Sequence, residues 1–170
     1  MSAIYRVRRA TTADVGGIAR TKHAVWSDEV VDQSFVAYAV SDPHHATLVV
    51  VGPHSIVGFV DGFVTLSHSN VARWEVDLLA VDPRHRRRGL GERLVRACTE
   101  AGRSMGASVA RALVRFDNAP SQRLFARCGY RPEEGACCLF VSSEIESARK
   151  DVRTRQSIHV VPVRTLNYRG

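Results

Sequence analysis

The chain of 170 residues has no apolar run long enough to cross a bilayer. Its longest, Ala46 to Val51, holds Thr47 inside it, whereas a membrane helix needs about 20 apolar residues. Nothing near Met1 reads as a secretory leader, because Arg6, Arg8 and Arg9 interrupt any apolar segment there. Cysteine is sparse, and Cys98, Cys128, Cys137 and Cys138 show no metal-type spacing. Two fall at helix-core positions and the adjacent pair lies in an apolar strand. Reduced thiols in a cytoplasmic protein are therefore expected, with no metal and no disulfide. Repeats and low-complexity segments are absent. One domain over residues 1–170 is the expectation from length, and an apolar fraction of 45% with 24% charged residues suits a globular chain.

The net charge of +7 admits two partners, a polyphosphate ligand or a nucleic acid. No helix-turn-helix, zinc-finger or RNA-stacking motif accompanies the charge, and much of it is spread over the C-terminal segment. A nucleic-acid partner is not expected.

Hydrophobic periodicity outlines an alternating α/β order. Ile4 to Arg9 reads as a strand, and Thr11 or Thr12 can cap a helix that turns Val15, Ile18, Ala19 and Trp26 inward. Val30 to Val40 reads as a second helix, closed by Ser41-Asp42-Pro43. Ala46 to Val51 and Ser55 to Leu66 form a hairpin around Gly52-Pro53. Arg73 to Val81 and Ser108 to Phe116 continue the sheet. Asn118 to Cys128 is a helix stopped by Gly129, and Ala136 to Val141 is a late strand. Ser143 to Gln156 is polar, a short helix or an enlarged loop, and 158–164 reads as a closing strand with Pro162 marking an edge. That strand would make 144–156 an insertion; the alternative is a tail that packs on a partner.

The most informative stretch is Arg86-Arg87-Arg88-Gly89-Leu90-Gly91. It joins the apolar run Val76 to Val81 to a helix whose Leu90, Leu94, Ala97, Cys98, Ala101 and Met105 share one face. Glycines at such a turn let main-chain N–H groups approach a ligand, and the helix start adds partial positive charge. Three arginines beside it favour a ligand with several phosphates. A P-loop is excluded because no Lys-Ser or Lys-Thr follows, and a dinucleotide fingerprint because Leu94 stands where its third glycine belongs.

The stretch resembles the R-x-x-G-x-G segment of the GNAT superfamily, acetyl-CoA-dependent N-acetyltransferases. A second block, Asn118 to Tyr130, resembles that family's N-x-x-A-x-x-L-Y-x-x-x-G-F/Y segment, and Val7 to Asp14 resembles its opening. The resemblance spans residues 4 to about 142. It implies a mixed central sheet of six to seven strands flanked by about four helices, with the fourth and fifth strands splayed. Acetyl-CoA is the implied co-substrate and a small-molecule or protein amine the implied acceptor; the resemblance leaves room for a homodimer.

By the same resemblance, Leu79, Ala80 and Val81 pair with the pantetheine arm lying in the splay. Arg86, Arg87, Arg88, Gly89, Leu90 and Gly91 hold the pyrophosphate, and Asn118, Ser121 and Phe125 flank the arm. Glu75 stands where some members carry a catalytic glutamate. On a regular strand residues 75, 77 and 79 share one face, which puts Asp77 beside Glu75 and suits a base with raised pKa. Read structurally, Glu75 ends a strand or pairs with an arginine. His68 is a weaker candidate. Trp26 and Glu29, with neighbouring aromatics, lie where the acceptor usually binds, and acids beside rings suit a cationic amine.

Phe125 departs from the pattern, which has a tyrosine that protonates the leaving sulfur. A thiol of pKa about 8.5 leaves readily as thiolate near neutrality. General-acid help is typically worth ~10²–10⁴-fold, so its loss implies slower turnover, replacement by water, or a catalytically weak CoA-binding module of the same fold. Ser121, one turn earlier, can relay a water.

Overall fold

The computed structural model describes residues 4–67, 70–133 and 139–142. Strand β1 (Arg6–Arg9) leads through a 3-10 turn at Thr12–Asp14 into α1 (Val15–Val25). Asp14 organises this entry. Its carboxylate accepts from the Thr11 N–H (2.8 Å) and hydroxyl (3.0 Å), and from the Arg8 guanidinium at 2.6 and 2.8 Å. Helix α2 (Gln33–Ser41) begins later than the expected Val30, because Asp32 caps it by accepting from the N–H groups of Ser34 and Phe35. The remaining elements are β2 (Leu48–Val51), β3 (Ile56–Leu66), β4 (Ala72–Val81), α3 (Leu90–Ser104), β5 (Val109–Leu113), α4 (Ala119–Arg127), β6 (Tyr130–Pro132) and β7 (Leu139–Ser142).

These strands form one sheet of seven in the order β1-β2-β3-β4-β5-β7-β6. Only β4 and β5 run parallel. The expected mixed sheet with four helices is therefore what forms. The expected insertion at 144–156, the closing strand at 158–164, His68, Cys137 and Cys138 lie outside the described residues.

Each sheet face carries its own core. Val60, Trp74 and Val76 bury against Leu94, Val95 and Cys98 of α3. On the opposite face Val49, Phe59 and Ala80 pack with Ile18 of α1 and Val36 of α2. Burying each large side chain contributes about 1.5–3 kcal/mol.

One irregularity in β4 decides what its side chains face. Val60 pairs with Leu79 and Gly62 with Val76, so Asp61 alone stands opposite both Asp77 and Leu78. This is a β-bulge, and the extra residue reverses the alternation beyond it. Before the bulge Trp74 and Val76 face α3; after it Leu79 and Val81 do, while Leu78 and Ala80 face α1. The expectation that residues 75, 77 and 79 share a face is corrected accordingly. Glu75 and Asp77 lie on the α1 face and Leu79 on the other.

Candidate active site

The strands part where the parallel ladder stops. The last β4–β5 pair is Val76 with Ala112, yet β4 continues to Val81. Main-chain direction within that free stretch follows from one hydrogen bond. The Asp82 N–H donates to the Val57 carbonyl at 2.9 Å, so residue 82 points its polar groups at β3. Alternation then turns the N–H and C=O of Leu79 and Val81 toward the parting, and those of Ala80 toward β3. A strand edge is left open between β4 and β5, the setting for an extended ligand that pairs as an added strand.

The basic turn stands at the end of this edge. Asp82 caps the short turn Pro83–His85 by accepting the Arg84 N–H (2.9 Å), and it also takes the Arg84 guanidinium at 3.1 and 2.7 Å. That ion pair holds the Asp82 carboxyl down at about 2. Arg84 is thereby engaged, while the exposed Arg86, Arg87 and Arg88 continue the run. Arg86 Nε donates to the Val81 carbonyl (3.0 Å), and Arg88 lies over the Tyr5 ring at 5.9 Å. Arg87 (φ 60°) and Gly89 (φ 72°) both adopt the left-handed region, and Gly89 caps α3. The N–H groups that open a helix have no partner within it, so the turn presents bare donors and positive dipole to an anion. Leu90 is buried and can contribute only its main chain.

The two glycines differ in purpose. A β-carbon on Gly89 would meet nothing within 4 Å, so its backbone angle is what calls for glycine. A β-carbon on Gly91 would lie 3.1 Å from Leu124 Cδ2, so Gly91 lets α3 approach α4.

Helix α4 supplies the second expected block. Asn118 caps it, its Oδ1 accepting the Ser121 N–H at 3.2 Å. Ser121 is half-buried. Phe125 is buried against Tyr130, edge to face at 5.1 Å. The Tyr130 hydroxyl lies 2.6 Å from Thr99 Oγ1, in keeping with a packing role.

Glu75 sits at the bottom of the parting, half-buried, its Oε1 held by the Arg111 guanidinium from β5 and by the Thr65 hydroxyl at 3.1 Å. Asp77 is exposed beside it and accepts no hydrogen bond among the described residues; burial of its surroundings, then the Asp61 charge, raises its pKa. Asp61 is buried, with Thr47 Oγ1 at 2.8 Å and His45 Nδ1 at 3.1 Å. Thr47, His45, Asp61 and Arg111 were not among the expected site residues. An aspartate at the centre of the apolar run Ile56 to Leu66 was the one signal the chain offered for them.

Trp26 packs into the α1-side core, and Glu29 lies 3.8 Å from Lys22 Nζ. Glu29 also lines an open depression of about 790 Å³ with Arg20, His23 and Asp28, formed wholly by residues 16–33. No residue of the basic turn lines it. Among the described residues no group of His, Cys, Asp and Glu is arranged to hold a metal, and no helix is long and apolar enough to cross a membrane.

The profile of the Acetyltransferase (GNAT) family matches residues 13–130. The chain belongs to the GNAT acetyltransferase family. No curated protein sequence matches it. Among solved structures it is similar to aminoglycoside N-acetyltransferase AAC(6')-Iy in complex with CoA. There the TM-score is 0.72 at 16% identity, over 81% of this chain and 94% of that one. Arabidopsis thaliana NAA60 with a bisubstrate analogue gives 0.69 at 16% identity, over 82% and 98%. The aminoglycoside acetyltransferase meta-AAC0020 from a soil metagenome, in complex with sisomicin, gives 0.68 at 16% identity, over 78% and 92%. These three share the GNAT fold with this chain. Membership makes the protein an acetyltransferase-type enzyme, and the parted strands and basic turn fit CoA through an open main-chain edge and an anion seat.

Proposed function

We propose that the protein moves an acetyl group from acetyl-CoA to a primary amine by direct attack in a ternary complex. The observation that carries this reading is the open edge of Leu79 and Val81 running into the Arg86–Gly91 turn. Arg86, Arg87, Arg88 and the bare amides at Gly89, Leu90 and Gly91 hold the pyrophosphate. Leu79 and Val81 pair with the pantetheine arm and Ala80 packs beneath it. Asn118, Ser121 and Phe125 border the arm on the α4 side. Bound there, acetyl-CoA supplies an acyl carbon activated as a thioester. A preorganised amide facing the carbonyl oxygen is typically worth a few kcal/mol as charge develops.

The acceptor, a small-molecule or protein amine, enters on the α1 side, where Glu75 and Asp77 present carboxylates and Trp26 and Glu29 mark the helical wall. The base expected at Glu75 is a member of this carboxylate pair. With buried, unpaired thiols at Cys98 and Cys128, the cytoplasm is the proposed compartment.

Phe125 supports a second reading, a CoA-binding module that transfers slowly or not at all, because a phenyl ring has no proton to give. Calorimetry with acetyl-CoA, followed by thiol release over a panel of amines, separates the two. Binding with thiol release supports the transferase, binding with none supports the module, and no binding defeats both.

A further inference from the structure

Resting on the transferase reading, we propose that Asp77 is the group that takes the acceptor's proton, and that the Asp61–His45 pair is a positioning element acting on it. Asp61 and Asp77 meet across the β4 bulge, where Asp61 alone faces Asp77 and Leu78. Both Asp61 oxygens are fixed. Thr47 Oγ1 donates to one, and His45 Nδ1 donates to the other. The His45 ring is itself held, stacked on Phe63 with centroids 5.2 Å apart and edge-on to Tyr38 at 5.7 Å. The Asp61 and His45 side chains are 5% and 12% exposed. Burial raises the Asp61 pKa against the pull of Thr47 and His45, and once ionised the anchored carboxylate is a fixed charge beside Asp77.

The contrast with Glu75 assigns the proton. Glu75 Oε1 is engaged by Arg111 and Thr65, whereas Asp77 is exposed and carries no hydrogen bond among the described residues. The charged groups facing Asp77 are Asp61 from β3, His45 ahead of β2, Glu75 on its own strand and Lys22 from α1. His45 in turn faces Asp61 and Asp42. Desolvation of the carboxyl by the groups packed around it, then Asp61 and Glu75, favour the protonated form of Asp77, against His45 and Lys22. In the step, an ammonium N–H proton passes to the Asp77 carboxylate, directly or through one water. The freed lone pair forms the C–N bond, the C–S bond breaks as the thiolate leaves with the electron pair, and the second proton lost from nitrogen passes to that thiolate or to water. Asp77 then returns its proton to solvent.

The test reads Asp77 itself. Full-length protein carrying ¹³C-carboxyl aspartate is titrated by NMR, with D77N assigning the resonance. Asp77 is expected to titrate above the ordinary 3.8. The midpoint should fall by about half a pH unit or more in D61N, which removes the neighbouring charge. Should D61N fail to fold, T47V withdraws one donor from Asp61 and is expected to move Asp61 up and Asp77 down. A midpoint at the ordinary value, or one unmoved by these substitutions, overturns the proposal.

In parallel, kcat/KM for thiol release is followed against pH with spermidine, glucosamine and a tripeptide with a free amino terminus. The acid limb should shift down in D61N and vanish in D77N with a loss of about 10²-fold or more. Retention of the limb in D77N defeats the assignment. Release that persists while the midpoints fail overturns this proposal and leaves the transferase reading standing; no release from any amine overturns both.

Discussion

Leu124 of α4 occupies the space where Gly91 of α3 would carry a β-carbon, with its Cδ2 3.1 Å from that point. This separates two glycines that look equivalent in the motif. A side chain at 91 wedges the helices apart, whereas one at 89 projects into open space from a strained backbone. Gly91→Glu is therefore expected to lower stability by about 1–3 kcal/mol through overpacking. Gly89→Glu costs about 1–2 kcal/mol for its left-handed residue, keeps the fold, and weakens acetyl-CoA more than about tenfold by putting a carboxylate beside the anion seat. Paired thermal melts and calorimetry check both. Equal melting points with equal affinities would undo the distinction.

Arg111 and Glu75 lock the last shared rungs of β4 and β5, just below the parting. Removing the arginine leaves a half-buried carboxylate without its charged partner. Arg111→Ala is expected to cost roughly 1–3 kcal/mol in urea denaturation, the range for a buried polar group left without its partner. Glu75→Gln should reduce turnover while retaining the acid limb of the rate profile, since Asp77 remains. If the limb disappears in Glu75→Gln and survives in D77N, the proton belongs to Glu75.

The acid branch of stability should report Asp14 and Asp82. Their folded-state pKa values lie below the ordinary 3.8, Asp14 mainly through Arg8 and Asp82 mainly through Arg84. A depressed carboxylate stabilises the fold in full above its unfolded value and loses that contribution as pH falls through the folded one. The loss is therefore expected below about pH 4, continuing to about pH 2 for Asp82. Asp14→Asn removes the charge that Arg8 and Thr11 hydrogen-bond and should cost about 1 kcal/mol at neutral pH. Its urea midpoint should also fall less steeply on acidification than that of the parent.

The parts of this architecture that a reader of the chain can find are those set by local rules. Leu90, Leu94 and Cys98 recur at helical spacing, and the basic turn sits between two readable elements. The parts that escape are set by neighbours distant in sequence. The bulge at Asp77–Leu78 exists because β3 supplies one residue where β4 supplies two, and no feature of the run Val76 to Val81 announces it. Glu75 meets Arg111, and Asp61 meets Thr47 and His45, only because strand order brings them together.

Thiol chemistry offers a check independent of the site. Burial pushes the Cys98 thiol up to about 12, against a hydrogen bond from Trp74 Nε1, and Cys128 up to about 11. Since thiolate is the reactive form, neither should react with a disulfide reagent in the native state. With Cys137 and Cys138 replaced by serine, labelling is expected only at the rate of unfolding. Fast labelling under native conditions would show that the core opens locally around the labelled cysteine, at α3 for Cys98 or at the end of α4 for Cys128.

Asp77 should set activity against stability. Its folded-state pKa is raised, so the sign is opposite to that of Asp14. The group favours the fold while protonated in both states, and that contribution is withdrawn as pH rises from the unfolded value through the folded one. Above its folded-state pKa the carboxylate is held ionised beside Asp61 and Glu75, a cost that an amide would not bear. D77N is therefore expected to melt above the parent where that carboxylate is ionised, the difference closing as pH falls below the ordinary 3.8, where both side chains are neutral. If D77N instead melts below the parent at neutral pH, Asp77 is a stabilising anion, and its place beside the acceptor must be explained by charge attraction rather than by proton transfer.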